Sequence, residues 1–197
     1  MESQLIGMQG TNIIMTRHSV AKITVLVGAL LWLPANLCAE EVISREYKIK
    51  AAYLFNLIKF VSWPSAAQSV MKAEKRTLIC VFGHNPFANH LEKLSHRKAK
   101  GRDIAIKYLA PQNSTEQCNV VFISELNAET NPLLSKSQRQ APPLLTVGEN
   151  ADFVDQGGIV SLVVEDNNVK LQINLTQAKK MGFEVSGNLL EVAKVVR

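Results

Sequence analysis

Residues 77–82, with the sequence TLICVF, form an apolar run that ends at Gly83. A run of this length that ends at a turn residue predicts a strand buried on both faces of a sheet. Three further segments of the same kind follow along the chain, at residues 104–109, 119–124 and 143–148. Because helical patterns at 86–94 and 133–140 separate strands, the order predicts a mainly parallel sheet covered on both faces.

The last part of the chain has a different pattern. Residues 158–166 and 169–174 flank Asn167-Asn168, which predicts an antiparallel hairpin. Residues 177–181 and 186–196 are predicted as terminal helices. The fold class expected from these segments is α/β, a three-layer α/β/α sandwich whose mainly parallel sheet ends in an antiparallel hairpin.

Before the first strand, residues 46–61 (EYKIKAAYLFNLIKFV) predict a helix with very few polar positions. Lys48, Asn56 and Lys59 fall on one narrow stripe, and the rest of the circumference is apolar or small. Trp63-Pro64 ends the helix, and residues 65–76 are predicted as a polar connector. A helix this apolar is buried on several sides, by its own domain or by a partner.

The N-terminal segment has the pattern of a secretory signal peptide over residues 1–39. Arg17 and Lys22 precede the apolar run 23–33, and a small residue, Ala39, stands where cleavage is expected. Residues 1–14 resemble an upstream extension, since a signal of ordinary length would start at Met15. The remaining residues, 40–197, fit a single domain that works outside the cytoplasm.

Two other interpretations of this segment remain open. Lipid attachment requires Cys38 to become the first mature residue, but Leu37 is larger than the residue that such a site normally has before it. An uncleaved membrane anchor requires about 20 apolar residues, more than the run 23–33 supplies.

Charge and cysteine content narrow the function classes. The formal net charge is +5, and the main basic concentration is residues 93–102 (KLSHRKAKGR). An exported protein rarely meets nucleic acid, so we expect a solvated loop and no nucleic-acid partner.

Cys80 and Cys118 are an even pair in an oxidising compartment, for which a disulfide is the simplest outcome and two separate buried thiols the alternative.

Catalytic constellations are weak in this sequence. His84, His90 and His96 recur every six residues, a spacing that spreads them around a helix instead of converging them on a metal. Gly83-His84 follows the first strand but lacks the glycine series of a nucleotide site. We therefore expect no catalytic residues, no metal and no cofactor, and we interpret the protein as a non-enzyme.

Residues 50–64 (KAAYLFNLIKFVSWP) closely resemble the K-A-A-x-L-x-N-x-x-K-F-x-x-W-P opening of the YfiR family of periplasmic proteins. Further matches follow in order across the mature chain: residues 79–87, 101–102, 118–124, 145–148, 157–159, 173–174 and 189–193. The resemblance implies a periplasmic, non-enzymatic repressor. Its partner would be the periplasmic domain of a YfiN-like membrane diguanylate cyclase, with output through cyclic-di-GMP and biofilm formation.

The resemblance carries three further implications. An outer-membrane YfiB-like lipoprotein would capture the repressor and release the cyclase, whereas a homodimer is left open. Cys80 and Cys118 match a bridged pair. The well-studied member has a second cysteine pair that would fall near Val154 and Ser161, where this chain has none. Oxidation-dependent control through that second bridge is therefore not expected here.

A binding protein concentrates affinity in a few aromatic anchors. The candidates for partner binding are Tyr53, Phe55, Phe60 and Trp63, and ordinary core packing is the alternative for each of them. The alternative function is a periplasmic small-ligand sensor or solute-binding domain. It would use the crevice at the carboxyl ends of the parallel strands, near Gly83, Ser124 and Gly148.

Overall fold

A computed structural model of the chain describes residues 36–110, 112–125, 127 and 130–196. Of the signal peptide predicted over residues 1–39, residues 1–35 lie outside the described part of the chain. Residue contacts divide the chain into two units, Met1–Ala39 and Glu40–Arg197, and the second of them contains the whole sheet. Within the described ranges, no helix combines the length and the hydropathy needed to cross a bilayer.

The first half of the fold contains α1, the longest of the described helices. The elements of this half are α1 (Asn36–Phe60), β1 (Val61–Ser62), α2 (Ser65–Glu74), β2 (Arg76–Phe82), β3 (Lys98–Ala99), β4 (Arg102–Leu109) and β5 (Val120–Ile123). The second half comprises α3 (Asn131–Ser137), β6 (Leu145–Gly148), β7 (Val160–Glu165), β8 (Asn168–Asn174), α4 (Leu175–Lys180), β9 (Glu184–Val185), α5 (Gly187–Leu190) and β10 (Ala193–Val196).

Eight of the described strands form one sheet in the order β10-β8-β7-β6-β5-β2-β4-β3. Five strands that are neighbours in the sheet, in the order β4-β2-β5-β6-β7, are parallel to one another. Strands β7 and β8 form the antiparallel hairpin. This sheet confirms the predicted α/β fold class. The remaining strands, β1 and β9, pair antiparallel and join the end of α1 to the C-terminal segment.

Alternate residues of the central strands pack on opposite faces of the sheet, as the pleat requires. On one face, Ile79 and Val81 of β2 join a large cluster with Leu54, Leu57 and Ile58 of α1. On the other face, the smaller cluster includes these residues: Leu78, Cys80, Phe82, Val121, Leu134 and Phe153. Both faces of the sheet are therefore buried, which explains why its central strands are apolar runs and do not alternate.

A disulfide joins Cys80 of β2 to Cys118, which stands just before β5. The two Cα atoms are 5.9 Å apart, within the range that a bridge needs. Both cysteines belong to the smaller core cluster. The bridge therefore links two adjacent strands inside the core, and the alternative of two separate buried thiols does not describe this structure.

The predicted polar connector at residues 65–76 is wrong, because most of it is the helix α2. Ala67 and Met71 are buried four residues apart, so one side of the helix packs on the core. Pro64 precedes its first residue, and Lys75 ends it in a left-handed conformation. Two apolar contacts in a segment rich in Ser, Gln and Lys give too weak a period to be recognised in the sequence.

Two predicted helices are also wrong over most of their length. In residues 86–94 only Glu92–Leu94 is helical, as a 3₁₀ turn, because Ala88 has a positive φ of 49°. Residues 186–196 form the short helix α5 and then strand β10, which pairs parallel with β8. In the hairpin, the turn residues are Asp166 and Asn167, one position earlier than predicted.

Candidate functional site

The part of α1 from Tyr47 to Phe60 runs opposite to the parallel strands, so Tyr47 lies near their carboxyl ends and Phe60 near their amino ends. Lys50 contacts Glu149, the residue directly after the carboxyl end of β6. Further along, the carbonyl of Val61 accepts a hydrogen bond of 2.9 Å from Lys100 Nζ, close to the amino end of β4. The region of α1 around Lys50 and the region around Phe60 thus define two candidate sites.

At the carboxyl ends of the strands, a buried cation is enclosed by carboxylates. The Lys50 side chain is 3% exposed, and its Nζ lies 2.5 Å from both Glu46 Oε1 and Glu149 Oε2. The Tyr47 hydroxyl donates to Glu149 Oε2 at 3.1 Å. Burial, and then the charge of Glu149, raise the pKa of Tyr47 well above its ordinary value of about 10. The phenol therefore stays a neutral donor, and the cluster fixes the middle of α1 on the sheet.

Beside this cluster is the crevice predicted near Gly83, Ser124 and Gly148. A cleft of about 370 Å³ is lined by Tyr47, His84, Ser124 and Glu149. A neighbouring cleft of about 320 Å³ shares His84 and Ser124 and includes Gly83. A crevice is therefore present near Gly83 and Ser124, whereas Gly148 lines neither cleft. Of its two acidic lining residues, Glu125 and Glu149, the second is already paired with Lys50.

At the other end of α1, aromatic side chains flank an exposed stripe. With about 100° per residue, Ala52, Asn56 and Lys59 point away from the core. Phe55 lies on one flank of this stripe, and Tyr53 and Phe60 lie on the other. All three aromatics are partly buried against the core, and Ala52 and Lys59 are exposed. We call this stripe with its aromatic flanks the outer face of α1.

Cations lie against the rings of the outer face. Lys59 Nζ is 5.7 Å from the centroid of Phe55 and 5.5 Å from that of Phe60. Arg97 Cζ is 5.3 Å from the Phe55 centroid. These distances are within the range of cation–π attraction. The rings therefore keep part of their surface at the protein exterior, with charged groups held beside them.

Trp63 occupies a different environment from the other three candidates. Its side chain is buried, with 3% of the residue exposed, and it packs edge to face on Phe183 at a centroid distance of 5.8 Å. The structure thus brings Tyr53, Phe55 and Phe60 to the outer face of α1 and places Trp63 in the core.

Sequence reasoning missed the residues that complete both sites. Glu149 is 99 positions from Lys50, and in the sequence it belongs only to an acidic loop after a strand. Arg97 and Lys100 belong to the basic run 93–102, for which the sequence predicts a solvated loop with no role in binding. Two features of the sequence could have indicated these residues: the lysine that opens the K-A-A motif, and the high density of positive charge in that run.

A family model described as YfiR/HmsC-like matches residues 47–194, which include α1 from Tyr47 onward and the whole sheet except its last residues. No curated protein matches the chain.

Proposed function

Since the chain belongs to the YfiR/HmsC-like family, we propose that it binds the periplasmic domain of an inner-membrane diguanylate cyclase and holds that enzyme inactive. The family is one of periplasmic regulators in cyclic-di-GMP signalling and is regulatory, not catalytic. In this proposal residues 1–39 direct export, and a YfiB-like outer-membrane lipoprotein relieves the repression. The output is the cellular level of cyclic-di-GMP and, through it, biofilm formation.

The observation that supports binding is the outer face of α1. Aromatic rings are enriched at protein interfaces and supply much of the binding energy there. The core of the domain covers one side of Phe55 and Phe60, and cations lie beside their rings. Ala52, between the two aromatic flanks, is small and exposed and therefore allows a partner to approach the helix closely. A partner that covers this face completes the burial of the aromatic rings that flank it.

Polar replacement of the flanking rings is expected to weaken this contact. Phe55→Ser or Phe60→Ser should each lower affinity for the cyclase about thirtyfold, because removal of an interface anchor costs about 2 kcal/mol. The measurement is capture, by the epitope-tagged full-length chain, of proteins from detergent-solubilised membranes of its host. Mass spectrometry identifies whether a membrane protein with a diguanylate cyclase domain is retained.

Two further variants separate binding from folding. Ala52→Trp adds bulk at an exposed position and should block the partner without removing any core contact. Val192→Ser is the matched control, since Val192 is 64% exposed and lies outside α1. Thermal unfolding is measured on each variant. If Ala52→Trp folds normally and captures the cyclase as the wild type does, the outer face of α1 is not the binding surface.

A second candidate function is binding of a small ligand in the crevice. It is favoured by the cleft of about 370 Å³ at the carboxyl ends of β2, β5 and β6, which is where ligands bind in open α/β sheets. A saturable calorimetric signal from the purified protein on titration with metabolite mixtures would favour it. The two functions are compatible, because the crevice lies at the carboxyl ends of the strands, whereas the outer face of α1 extends toward their amino ends.

A further inference from the structure

Cationic side chains collect at the end of α1 that carries the outer face. We call this group the basic rim, and its members are Lys59, Lys75, Arg76, Arg97, Lys98 and Lys100. They come from three separate segments: the end of α1 (Lys59), the start of β2 with the residue before it (Lys75 and Arg76), and the stretch around β3 (Arg97, Lys98 and Lys100). Only the last of these segments belongs to the basic run 93–102, and the fold brings all three together near the amino ends of β2 and β4.

Specific contacts fix the rim around the end of the helix. Arg97 lies against Phe55, and Lys100 Nζ donates to the Val61 carbonyl at 2.9 Å and to Ser62 Oγ at 3.3 Å. The backbone N–H of Asp103 donates to the carbonyl of Lys75 at 3.0 Å. Asp103 also pairs in register with Arg76 across the strands. The rim is therefore contiguous with the outer face of α1.

The positive charge of the rim is poorly compensated. Its ion pairs are Lys98 with Asp103 and Arg76 with Glu74, both at 3.4 Å and both between exposed side chains, which contribute little. Among the described residues, Lys59, Lys75, Arg97 and Lys100 make no ion pair. These four cations add to a positive field at this end of the molecule, although burial, and then the charge of Arg102, lower the pKa of Lys100.

From this arrangement we propose that the basic rim receives an acidic protein surface of the partner, one that presents carboxylates around an apolar patch. The proposal rests on the proposed function and names the chemistry of the partner's contact. A carboxylate beside Phe55 relieves the repulsion between Lys59 and Arg97, which approach the same ring. The outer face supplies the apolar centre of the contact, and the rim supplies orientation and association rate.

A protein surface fits this site better than an anionic membrane does. Insertion into a bilayer interface requires apolar side chains that project from the protein. Phe55 and Phe60 instead lie partly buried, with cations against their rings. The membrane is therefore the alternative that the experiment must exclude.

The test compares two triple charge reversals of the full-length chain, all at exposed positions. The rim variant is Lys59→Glu with Arg97→Glu and Lys98→Glu, and the control is Lys170→Glu with Lys179→Glu and Lys180→Glu. Because Arg97 also packs on the Phe55 ring, Arg97→Lys serves as a conservative variant that keeps the charge. Capture of the cyclase from solubilised membranes is measured from about 50 to 300 mM salt, a range over which screening rises. Vesicles of phosphatidylglycerol and phosphatidylethanolamine are tested by flotation.

We expect the rim variant to capture at least about tenfold less cyclase than the wild type at low salt, with the control triple variant unchanged and Arg97→Lys retaining more capture than the rim variant because it keeps the charge. Wild-type capture should fall as salt rises, and no protein should float with the vesicles. Equal capture by the rim variant and the wild type at every salt concentration overturns this inference and leaves the proposed function intact. Flotation of the wild type but not of the rim variant overturns it in favour of a membrane. If the wild type captures no cyclase at all, the proposed function and this inference both fail.

Discussion

Replacement of Cys80 or Cys118 by alanine is expected to lower the free energy of unfolding by about 4 kcal/mol. The bridge joins residues 38 positions apart, and a loop of that length restricts the unfolded chain strongly. Both cysteines are buried, at 0% and 2% exposure, so the loss of the bridge also loosens packing between β2 and β5. Urea-induced unfolding of the purified protein measures the change.

The two single variants and the double variant should have nearly the same stability. Each of them removes one and the same bond, so their effects are not additive. The matched control is the wild-type protein unfolded in the presence of a reductant, which should approach the variants. Additive losses from the two single variants, or no loss from either, would show that the cysteines do not form a bridge in solution.

Lys50→Met is expected to lower the free energy of unfolding by about 3 kcal/mol. The ammonium lies between Glu46 and Glu149 and is almost wholly buried. Its removal leaves the Glu149 carboxylate, which is 13% exposed, without a countercharge. A buried charge that has lost its partner is far more costly than an exposed ion pair.

Two variants control for the change of side chain. Lys48→Met lies on the same helix at an exposed position and should change stability by no more than about 0.5 kcal/mol. The double variant Lys50→Met with Glu149→Leu should be more stable than Lys50→Met alone, because both members of the pair are then removed. A loss for Lys50→Met no larger than that for Lys48→Met would mean that the ion pair does not anchor α1.

The central sheet could be predicted from the sequence. Residues 77–82 and 119–124 are apolar almost without interruption, because β2 and β5 have neighbours on both sides and helices or turns over both faces. The predicted segments differ from β2 and β5 by one residue at each affected end. Burial on both faces leaves few alternatives to a parallel strand, so this pattern is reliable.

Some elements, such as the edge strand β10, form because of contacts with distant parts of the chain, and a local sequence pattern does not indicate those contacts. Residues 193–196 form β10 because β8 offers an unpaired edge, and nothing within the segment reveals that edge. Lys50 and Glu149 form one ion pair from segments far apart in the chain. Arg97 and Phe55 meet only because the run 93–102 folds back against α1. Candidate anchors were therefore predictable as residue types, whereas their exposure was not.

Helix α1 combines the two roles that the variants separate. Lys50, near the middle of the helix, fixes it to the sheet, and in the proposed function the outer face of α1 binds the partner. Lys50 variants should therefore change stability, whereas Ala52→Trp should change binding at unchanged stability. With these two kinds of variant, a loss of repression caused by lost binding can be distinguished from one caused by unfolding of the protein.

The level of cyclic-di-GMP in the host is the direct test of repression by this protein. It is measured by mass spectrometry in four strains: the wild type, a deletion of this gene, a deletion of the captured cyclase and the double deletion. If the protein represses the cyclase, deletion of this gene raises cyclic-di-GMP, and the double deletion returns it to the level of the cyclase deletion. An unchanged level after deletion of this gene, in a host that expresses the cyclase, would show that the protein is not a repressor of that enzyme.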